Sequence, residues 1–383
     1  MKKFLEKFDI GSECDNFAKY FELAKHDFEE KKNEIFDFEK YGVFTYMKGD
    51  ISAIRDSLAD DSDNAIYCYF LYRAIEADDM AAIKSLAKPK AALLDEKYDT
   101  LPLFALLYCV PKMIETHKNM GIDADITEAT CNMFENQVQD FVDLNHRYGI
   151  SHYVTWMLHF LKCEILRIGR FNFEKCIYRS PFDIFENNGV LKAMPKGVTF
   201  HKSGQVLGSI GCEDSDGSFV ADIEENDECY IGYNIENGVC ENRKITLRKD
   251  EWKKVLTQGD TVVSVHIPSG GKMTDEVCER DIARCRKVFD ASMGGYKAFY
   301  CHSWLLDPQI KTLMGKETNL TKFADRFEKF PTKSNGGDVF EYVYLLPSTT
   351  LPEKLPENTS FGIAVKKHLV SGGHVYGSKG VFL

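Results

Sequence analysis

The sequence predicts two domains of different type: a helical N-terminal domain over residues 1–167 and an α/β domain over residues 168–383. Three observations support this division. The chain has 383 residues, about twice the length of a typical domain. Of its 27 glycines, 5 lie in the first region and 22 in the second. The net charge of -11 divides into -10 on the first region and -1 on the second, so the two regions also differ in charge.

Hydrophobic residues recur at helical spacing through the first region. The predicted helices cover residues 13–40, 64–76, 101–116, 127–147 and 152–167. Ser151 is the expected N-cap of the last helix, and Gly169 its terminator. The acidic residues then lie on solvated helix faces.

Short β-prone runs separated by turn signals follow residue 170. They cover residues 198–201, 219–223, 229–235 and 244–247, with Asn237-Gly238 as a hairpin signal. Strands over 261–268, 296–304 and 339–346 then alternate with helices up to about 289 and over 307–314, 320–330 and 360–370. This alternation is typical of an α/β sheet, here preceded by an antiparallel section.

The composition excludes several classes of protein. Hydrophobic residues make up 44% of the chain, enough for packed cores. The acidic balance argues against nucleic acid as a partner, because phosphates recruit Lys and Arg. No apolar stretch approaches the roughly 20 residues of a membrane helix and no signal region is evident, so we expect a cytoplasmic protein. The 12 cysteines form no CxxC pair, so we expect no metal site and at least ten buried, unpaired thiols.

A glycine pair joins the predicted strand 261–268 to the helix that follows. The loop consists of Ser269, Gly270, Gly271 and Lys272. Glycines allow close approach of a ligand, a helix N-terminus attracts phosphate, and the lysine adds a positive charge. The pattern is neither a Walker A loop nor GxGxxG, so an ordinary β-to-α turn explains it as well.

Two histidines lie near the carboxyl ends of predicted strands, where α/β sheets bind their ligands. Because side chains alternate along a strand, His266 shares a face with Ser264, and His302 shares one with Tyr300. Either imidazole could act as a general base near neutral pH, and either could be structural. Of the two, His302 is the stronger candidate.

Two further residues are candidates for chemistry. Cys301 could be a nucleophile, but its neighbour His302 points to the opposite face of the strand and cannot easily activate it. Tyr376, in the glycine-rich C-terminal segment, could be a general acid, and a turn-rich terminus explains it equally well.

An ordered set of short motifs resembles a bacterial family of two-domain acyltransferase-like proteins, with a helical N-acyltransferase N-terminal domain and a GNAT-like C-terminal domain. The matching stretches are Gly121-Ile122, Tyr148-Gly149, WMLHFL at 156–161, LRIGRFNF at 166–173, Glu251-Trp252, Gly259-Asp260, VHIP at 265–268, HSWLL at 302–306, Pro308, TNL at 318–320, Phe323, Phe327 and Thr359-Ser360. They span the chain from about residue 100 to its end. The sequence departs from the family at Gly362-Ile363, where a Gln-Arg pair is common, and it lacks the superfamily's Arg/Gln-x-x-Gly-x-Gly/Ala signature.

The resemblance implies a mixed β-sheet with flanking helices and an acyl-CoA co-substrate, either acetyl-CoA or a longer acyl-CoA. It implies that the two central parallel strands separate, with His302 as base, His266 nearby, Tyr376 as a candidate acid and the loop 269–272 at the pyrophosphate. An amine of a small molecule or peptide would attack the thioester directly. Two alternatives stay open: a non-catalytic ligand-binding protein on the same fold, and an acyl-transfer or hydrolase enzyme that depends on Cys301.

Overall fold

The chain forms two compact units, Met1–Arg167 and Ile168–Leu383. The structure is a computed structural model that describes residues 1–10, 14–39, 43–89, 95–315 and 317–383. Glu13 and Lys40, the ends of the first predicted helix, lie outside the described residues. No helix in the described ranges is long and apolar enough to cross a membrane.

The first unit is built from helices around an aromatic core. They are α1 (Lys2–Lys7), α2 (Phe17–Lys31), α3 (Lys48–Ala59), α4 (Ser62–Glu76), α5 (Met80–Leu86), α6 (Leu101–Leu107), α7 (Val110–Met120), α8 (Ala124–Cys131), α9 (Met133–Asn145) and α10 (Val154–Leu161). Helix α4 packs against α2, α5 and α6 and is buried along most of its length, so it forms the centre of this core. Asp61 caps its N-terminus by accepting a hydrogen bond from the Asp63 amide at 3.0 Å.

Four predicted helices of this unit are interrupted or end early. Within the segment 13–40, α2 ends at Lys31. The segment 101–116 is broken before Pro111, which occupies the first turn of α7. The segment 127–147 is broken at Asn132, between α8 and α9. The prediction of a helix up to residue 167 is wrong, because β1 (Ile165–Ile168) follows α10.

The capping roles predicted for Ser151 and Gly169 are wrong. The Ser151 hydroxyl donates to Asp99 at 3.2 Å, and Tyr153 is the N-cap of α10. Gly169 lies between β1 and β2 with φ +58°, and a Cβ there would lie 2.2 Å from an Asp281 carboxylate oxygen. Glycine is therefore required by both its backbone conformation and its contact.

The second unit contains most of the strands and five helices. Its strands are β2 (Phe171–Ile177), β3 (Phe182–Asn187), β4 (Val190–Pro195), β5 (Val198–Phe200), β6 (Phe219–Ala221), β7 (Glu224–Glu225), β8 (Cys229–Glu236), β9 (Val239–Arg248), β10 (Lys253–Leu256), β11 (Thr261–His266), β12 (Phe299–Ser303), β13 (Glu328–Pro331) and β14 (Ser378–Phe382). Its helices are α11 (Asp275–Val288), α12 (Pro308–Met314), α13 (Asn319–Ala324), α14 (Asp338–Tyr344) and α15 (Ser360–Val370).

Five strands of this unit pair in the order β2-β11-β12-β14-β13. Strands β11 and β12 are parallel, and the other pairs are antiparallel. Smaller antiparallel groups, β10-β3-β4, β5-β6 and β7-β8-β9, supply the section ahead of β11. The predicted fold class, a helical domain followed by a mixed sheet with flanking helices, is confirmed.

Local predictions for the second unit are confirmed where the signal was strong. Asn237 and Gly238 have φ values of 50° and 75° between β8 and β9, as a two-residue hairpin turn requires. The strand over 261–268 corresponds to β11, and the segment 296–304 contains β12. The helix 360–370 matches α15.

The prediction of a strand over 339–346 is wrong, because this segment holds α14 and its C-cap. Val339 and Tyr344 are buried while Tyr342 is 65% exposed, a pattern that follows a helix rather than a strand. The helix predicted over 320–330 ends at Ala324, and β13 takes up its last residues. The glycine-rich C-terminal segment leads into β14, an inner strand of the sheet that was not predicted.

All 12 cysteines are free thiols. Eight are buried and four are half-buried, so the expectation of at least ten buried thiols was too high.

Candidate active site

The parallel strands β11 and β12 pair at only two positions, Val263 with Phe299 and Ser264 with Tyr300. Both strands continue beyond these pairs, to His266 and Ser303. The sheet therefore opens at the carboxyl ends of its two parallel strands, which is where open sheets bind their ligands. Strand β11 stays paired with β2 as far as His266, so the opening lies on the β12 side alone.

His266 is half-buried at one side of this opening. Its Nε2 lies 2.8 Å from Oε2 of Glu174, which projects from β2. Glu174 pairs in register with Ser264, so the carboxylate lies on the same sheet face as the histidine. The pair fixes the orientation of the imidazole ring.

His302 lies on the other side of the opening and lines a cavity of about 300 Å³. The remaining lining residues are Gly208, Lys333, Ser334, Asn335, Asp338 and Gly377. His302 is paired in register with Lys379 of β14. Partial burial and the Lys379 charge lower the pKa of His302 below its ordinary value of 6.5, against the opposing effect of Asp338. The imidazole is therefore neutral at pH 7, the form that a general base requires.

Three polar side chains of the cavity converge beside Gly377. A Cβ added to this glycine would lie 3.4 Å from His302 Nε2, 3.6 Å from Asp338 Oδ2 and 3.7 Å from Ser334 Oγ. The Gly377 amide donates to Ser334 Oγ at 2.8 Å, which holds the segment in place. Because glycine has no side chain, a gap remains beside Gly377, and the His302 imidazole and the Asp338 carboxylate both face it.

The loop 269–272 precedes α11, as the sequence predicts. Gly270 and Gly271 have φ values of +82° and +60°, conformations that favour glycine. Thr274 caps the helix by accepting from the Val277 amide at 3.4 Å. Lys272 is exposed.

Arg170, in the turn after β1, packs under this loop. Its Nε donates to the Gly271 carbonyl at 3.2 Å, and its Nη1 is buried with no hydrogen-bond partner. Together with Lys272 it provides positive charge beside a glycine-rich turn, a donor set that fits a polyanion. Asp275 in the first turn of α11 is paired with Arg326 at 2.8 Å, which reduces its repulsion of an anion.

Tyr376 precedes Gly377 but does not line the cavity. Its hydroxyl lies 3.8 Å from Cys212 Sγ, and its amide donates to the buried Asp307 at 2.6 Å. Burial raises the pKa of Tyr376, so the phenol stays protonated at neutral pH. The structure therefore does not bring Tyr376 together with His302 as the sequence suggested.

Cys301 lies on the opposite side of β12 from His302 and is 1% exposed. Burial raises the pKa of its thiol to about 12, so it is not a thiolate at neutral pH. No cluster of three or more His, Cys, Asp or Glu side chains suited to a metal ion occurs among the described residues.

Sequence reasoning missed Asp338, Ser334 and Lys379. The loop PTKSNGGD at 331–338 carries a signal in its polar, glycine-rich composition. The strand predicted over 339–346 takes the place of α14, so the loop before it is not recognised as part of a site. Lys379 is not recognised because it lies on β14, which the sequence does not predict.

A mixed sheet whose parallel central strands separate, with a glycine-containing loop leading into the next helix, defines a GNAT-like fold. Models of two known domains match the chain. The N-acyltransferase N-terminal domain matches residues 38–163, and the GNAT-like C-terminal domain matches residues 165–382. The chain therefore belongs to the family of proteins with a GNAT-like C-terminal domain, here preceded by an N-acyltransferase N-terminal domain, and the predicted resemblance is confirmed.

Solved acyltransferase structures share this fold. A mutant acyltransferase in complex with octanoyl-CoA aligns with a TM-score of 0.57 and 16% identity over 84% of this chain and 79% of that chain. An acyltransferase in complex with decanoyl-CoA and teicoplanin aligns with the same values. An acyltransferase in complex with decanoyl-CoA aligns with a TM-score of 0.57 and 15% identity over 87% of this chain and 83% of that chain. No curated protein matches the chain.

Proposed function

We propose that this protein is an acyl-CoA-dependent N-acyltransferase. The observation that carries the proposal is the opening between β11 and β12, with His302 at its edge and a polar cavity beside it. Family membership supports it, because both matched domains are of acyltransferase type. The related structures that hold octanoyl-CoA and decanoyl-CoA support the same co-substrate class.

The residues at the opening suit a thioester with a long anionic tail. The loop of Ser269, Gly270, Gly271 and Lys272 would hold the pyrophosphate, with Arg170 beneath it. The second unit repels a polyanion less than the helical unit would, because it carries a net charge of -1 whereas the helical unit carries -10. When bound, acyl-CoA supplies an activated carbonyl carbon.

His302 is the proposed general base. Its neutral Nε2 would accept a proton from the acceptor amine, and Asp338 on the same gap would favour the imidazolium that results. Two groups are candidates to return a proton to the leaving sulfur. His266, which Glu174 orients at the opening, is the better placed of the two, because the protonated phenol of Tyr376 lies against Cys212 and does not line the cavity.

Thiol release tests the proposal. The protein would be incubated with acetyl-, octanoyl- or decanoyl-CoA and a panel of amines, and free thiol would be measured with a chromogenic disulfide. We expect release that depends on the amine, and a drop in kcat on the order of 100-fold for His302→Gln. Acyl-CoA binding by calorimetry should be unchanged in this variant, and His26→Gln, an exposed histidine on α2, is the matched control. Absence of any acyl-CoA binding would refute the proposal.

A non-catalytic binding protein on this fold is the second candidate. It is favoured by Gly362-Ile363 in place of the family's common Gln-Arg pair and by the missing superfamily signature. Acyl-CoA binding without turnover across the amine panel would support it. The Cys301-dependent alternative predicts an acyl adduct on this cysteine, which mass spectrometry would detect, and the buried thiol argues against it.

A further inference from the structure

Two oppositely charged side chains of the cavity beside His302, Asp338 and the exposed Lys333, have no hydrogen-bond or ion-pair partner among the described residues. Asp338 is half-buried, and Lys333 approaches Gly208, where an added Cβ would lie 3.2 Å from its Nζ. No hydrogen bond or ion pair joins either charged group to another described residue. Asp260 of the same unit, by contrast, is paired with Lys297 at 2.8 Å.

A half-buried carboxylate without a partner is unfavourable unless something compensates it. Lys379 of β14 pairs in register with His302, but no ion pair joins it to Asp338 among the described residues. His302 beside it is neutral at pH 7, so it does not neutralise the carboxylate either. The cavity is therefore lined by a half-buried carboxylate and an exposed ammonium, neither of which is paired with another described side chain.

The volume of the cavity limits the size of a ligand that could pair with both Asp338 and Lys333. About 300 Å³ lies at the low end of small-molecule sites, so this space fits a compact ligand. Its remaining polar groups are the amide of Asn335, whose Oδ1 accepts from the Gly337 amide, and the hydroxyl of Ser334. A compact ligand that carries both an ammonium and a carboxylate matches this set of groups.

We infer that the acceptor is a small zwitterionic amine of the α-amino-acid class, with its ammonium on Asp338 and its carboxylate on Lys333. The inference rests on the proposed acyl transfer. His302 Nε2 faces the same gap as Asp338 Oδ2, so the nitrogen held by the carboxylate is also the one that the base can reach.

The step balances in atoms and charge. The ammonium loses one proton through His302 to solvent, and the free amine then attacks the acyl carbonyl. The new C–N bond replaces the C–S bond, the amine loses a second proton, and the leaving sulfur takes up one. The products are an N-acyl amino acid and the free thiol, and the carboxylate remains paired with Lys333 throughout.

Matched acceptors provide the test. Each of the twenty common amino acids would be compared with its methyl ester and its decarboxylated amine, with thiol release as the readout and octanoyl-CoA as donor. We expect kcat/KM for at least one amino acid to exceed that of its ester and its amine by about tenfold or more, the effect of one charge-assisted contact. Lys333→Met should abolish this preference, while Lys196→Met, an exposed lysine outside the cavity, should preserve it.

Calorimetry of the amino acids without acyl-CoA gives a readout that does not require turnover. Binding that is lost in Lys333→Met and in Asp338→Asn supports the inference. Three results would overturn the inference. They are faster turnover of the esters or amines than of the amino acids, an unchanged preference in Lys333→Met, and neither binding nor acylation of any amino acid. If octanoyl-CoA neither binds nor releases thiol with any amine, the proposed acyl transfer fails instead, and amino-acid binding still decides the ligand class.

Discussion

Replacing Gly377 with alanine would place one methyl group at the point where the polar side chains of the cavity meet. Its carbon would lie 3.4 Å from His302 Nε2 and 3.6 Å from Asp338 Oδ2, which are ordinary van der Waals separations. The φ of Gly377 is not in the left-handed region, so alanine causes no backbone strain. We therefore expect the free energy of unfolding to change by about 0.5 kcal/mol or less.

The same methyl group would occupy the space where the acceptor nitrogen must lie between base and carboxylate. A displacement of about 1 Å in such a position lowers the rate on the order of 100-fold. Thiol release by Gly377→Ala should therefore fall by about that factor, with acyl-CoA binding by calorimetry unchanged.

Gly380→Ala is the control for this experiment. An added Cβ there would lie 2.8 Å from the Cβ of Phe327, so it overpacks the sheet away from the cavity. We expect a loss of about 2 kcal/mol and a fall in Tm of about 4–8 °C, with the turnover of the folded fraction retained. If Gly377→Ala turns over as fast as the unmodified protein, the acceptor nitrogen does not lie in this gap and the assignment of the cavity is refuted.

Three further outcomes follow from buried groups. The rate of thiol release should fall on acidification only below pH 6.5, because the lowered pKa of His302 keeps its imidazole neutral above that pH. Lys379→Met should shift this fall to higher pH, because it removes a positive charge that lowers the pKa of His302. An unchanged pH–rate profile in this variant would contradict the effect of Lys379 on His302. Cys301→Ser should retain turnover within a few-fold and form no acyl adduct by mass spectrometry, since its thiol has a pKa of about 12; loss of all activity in a folded variant would revive the cysteine mechanism. Burial raises the pKa of Asp307 from 3.8 to about 6, so the folded state binds the proton more tightly, and stability should decrease by roughly 2 kcal/mol as the pH rises from 4 to 6. Urea unfolding of Asp307→Asn, which cannot titrate, should lack this pH dependence.

The parts of the site that could be predicted from sequence are those with local signals. Strand β11, its glycine pair and the helix α11 follow each other without interruption, so period and turn chemistry located them together. His302 was located because alternation along a strand fixes which side chains share a face. Nothing in the sequence indicates that Glu174 orients His266, because the partner comes from a strand 92 residues away.

The remainder depended on tertiary contacts. Helix α14 has the β-branched and aromatic composition of a strand, and packing of Val339 and Tyr344 against the cluster around Val365 selects the helix. Because the composition of this segment indicates a strand, the sequence does not indicate that Asp338 at the start of α14 belongs to a site. The position of β14 depends on pairing with both β12 and β13, which no local pattern specifies.

The order of the strands also determines when the second unit can be completed. Strand β14, at residues 378–382, lies between β12 and β13, both of which precede it in the chain. During synthesis the edge of β12 stays unpaired until β14 has been made, whereas the residues of the helical unit are made far earlier. An exposed strand edge invites pairing with other chains. The nascent protein is therefore vulnerable to aggregation in the interval between the synthesis of β12 and that of the five-residue strand β14.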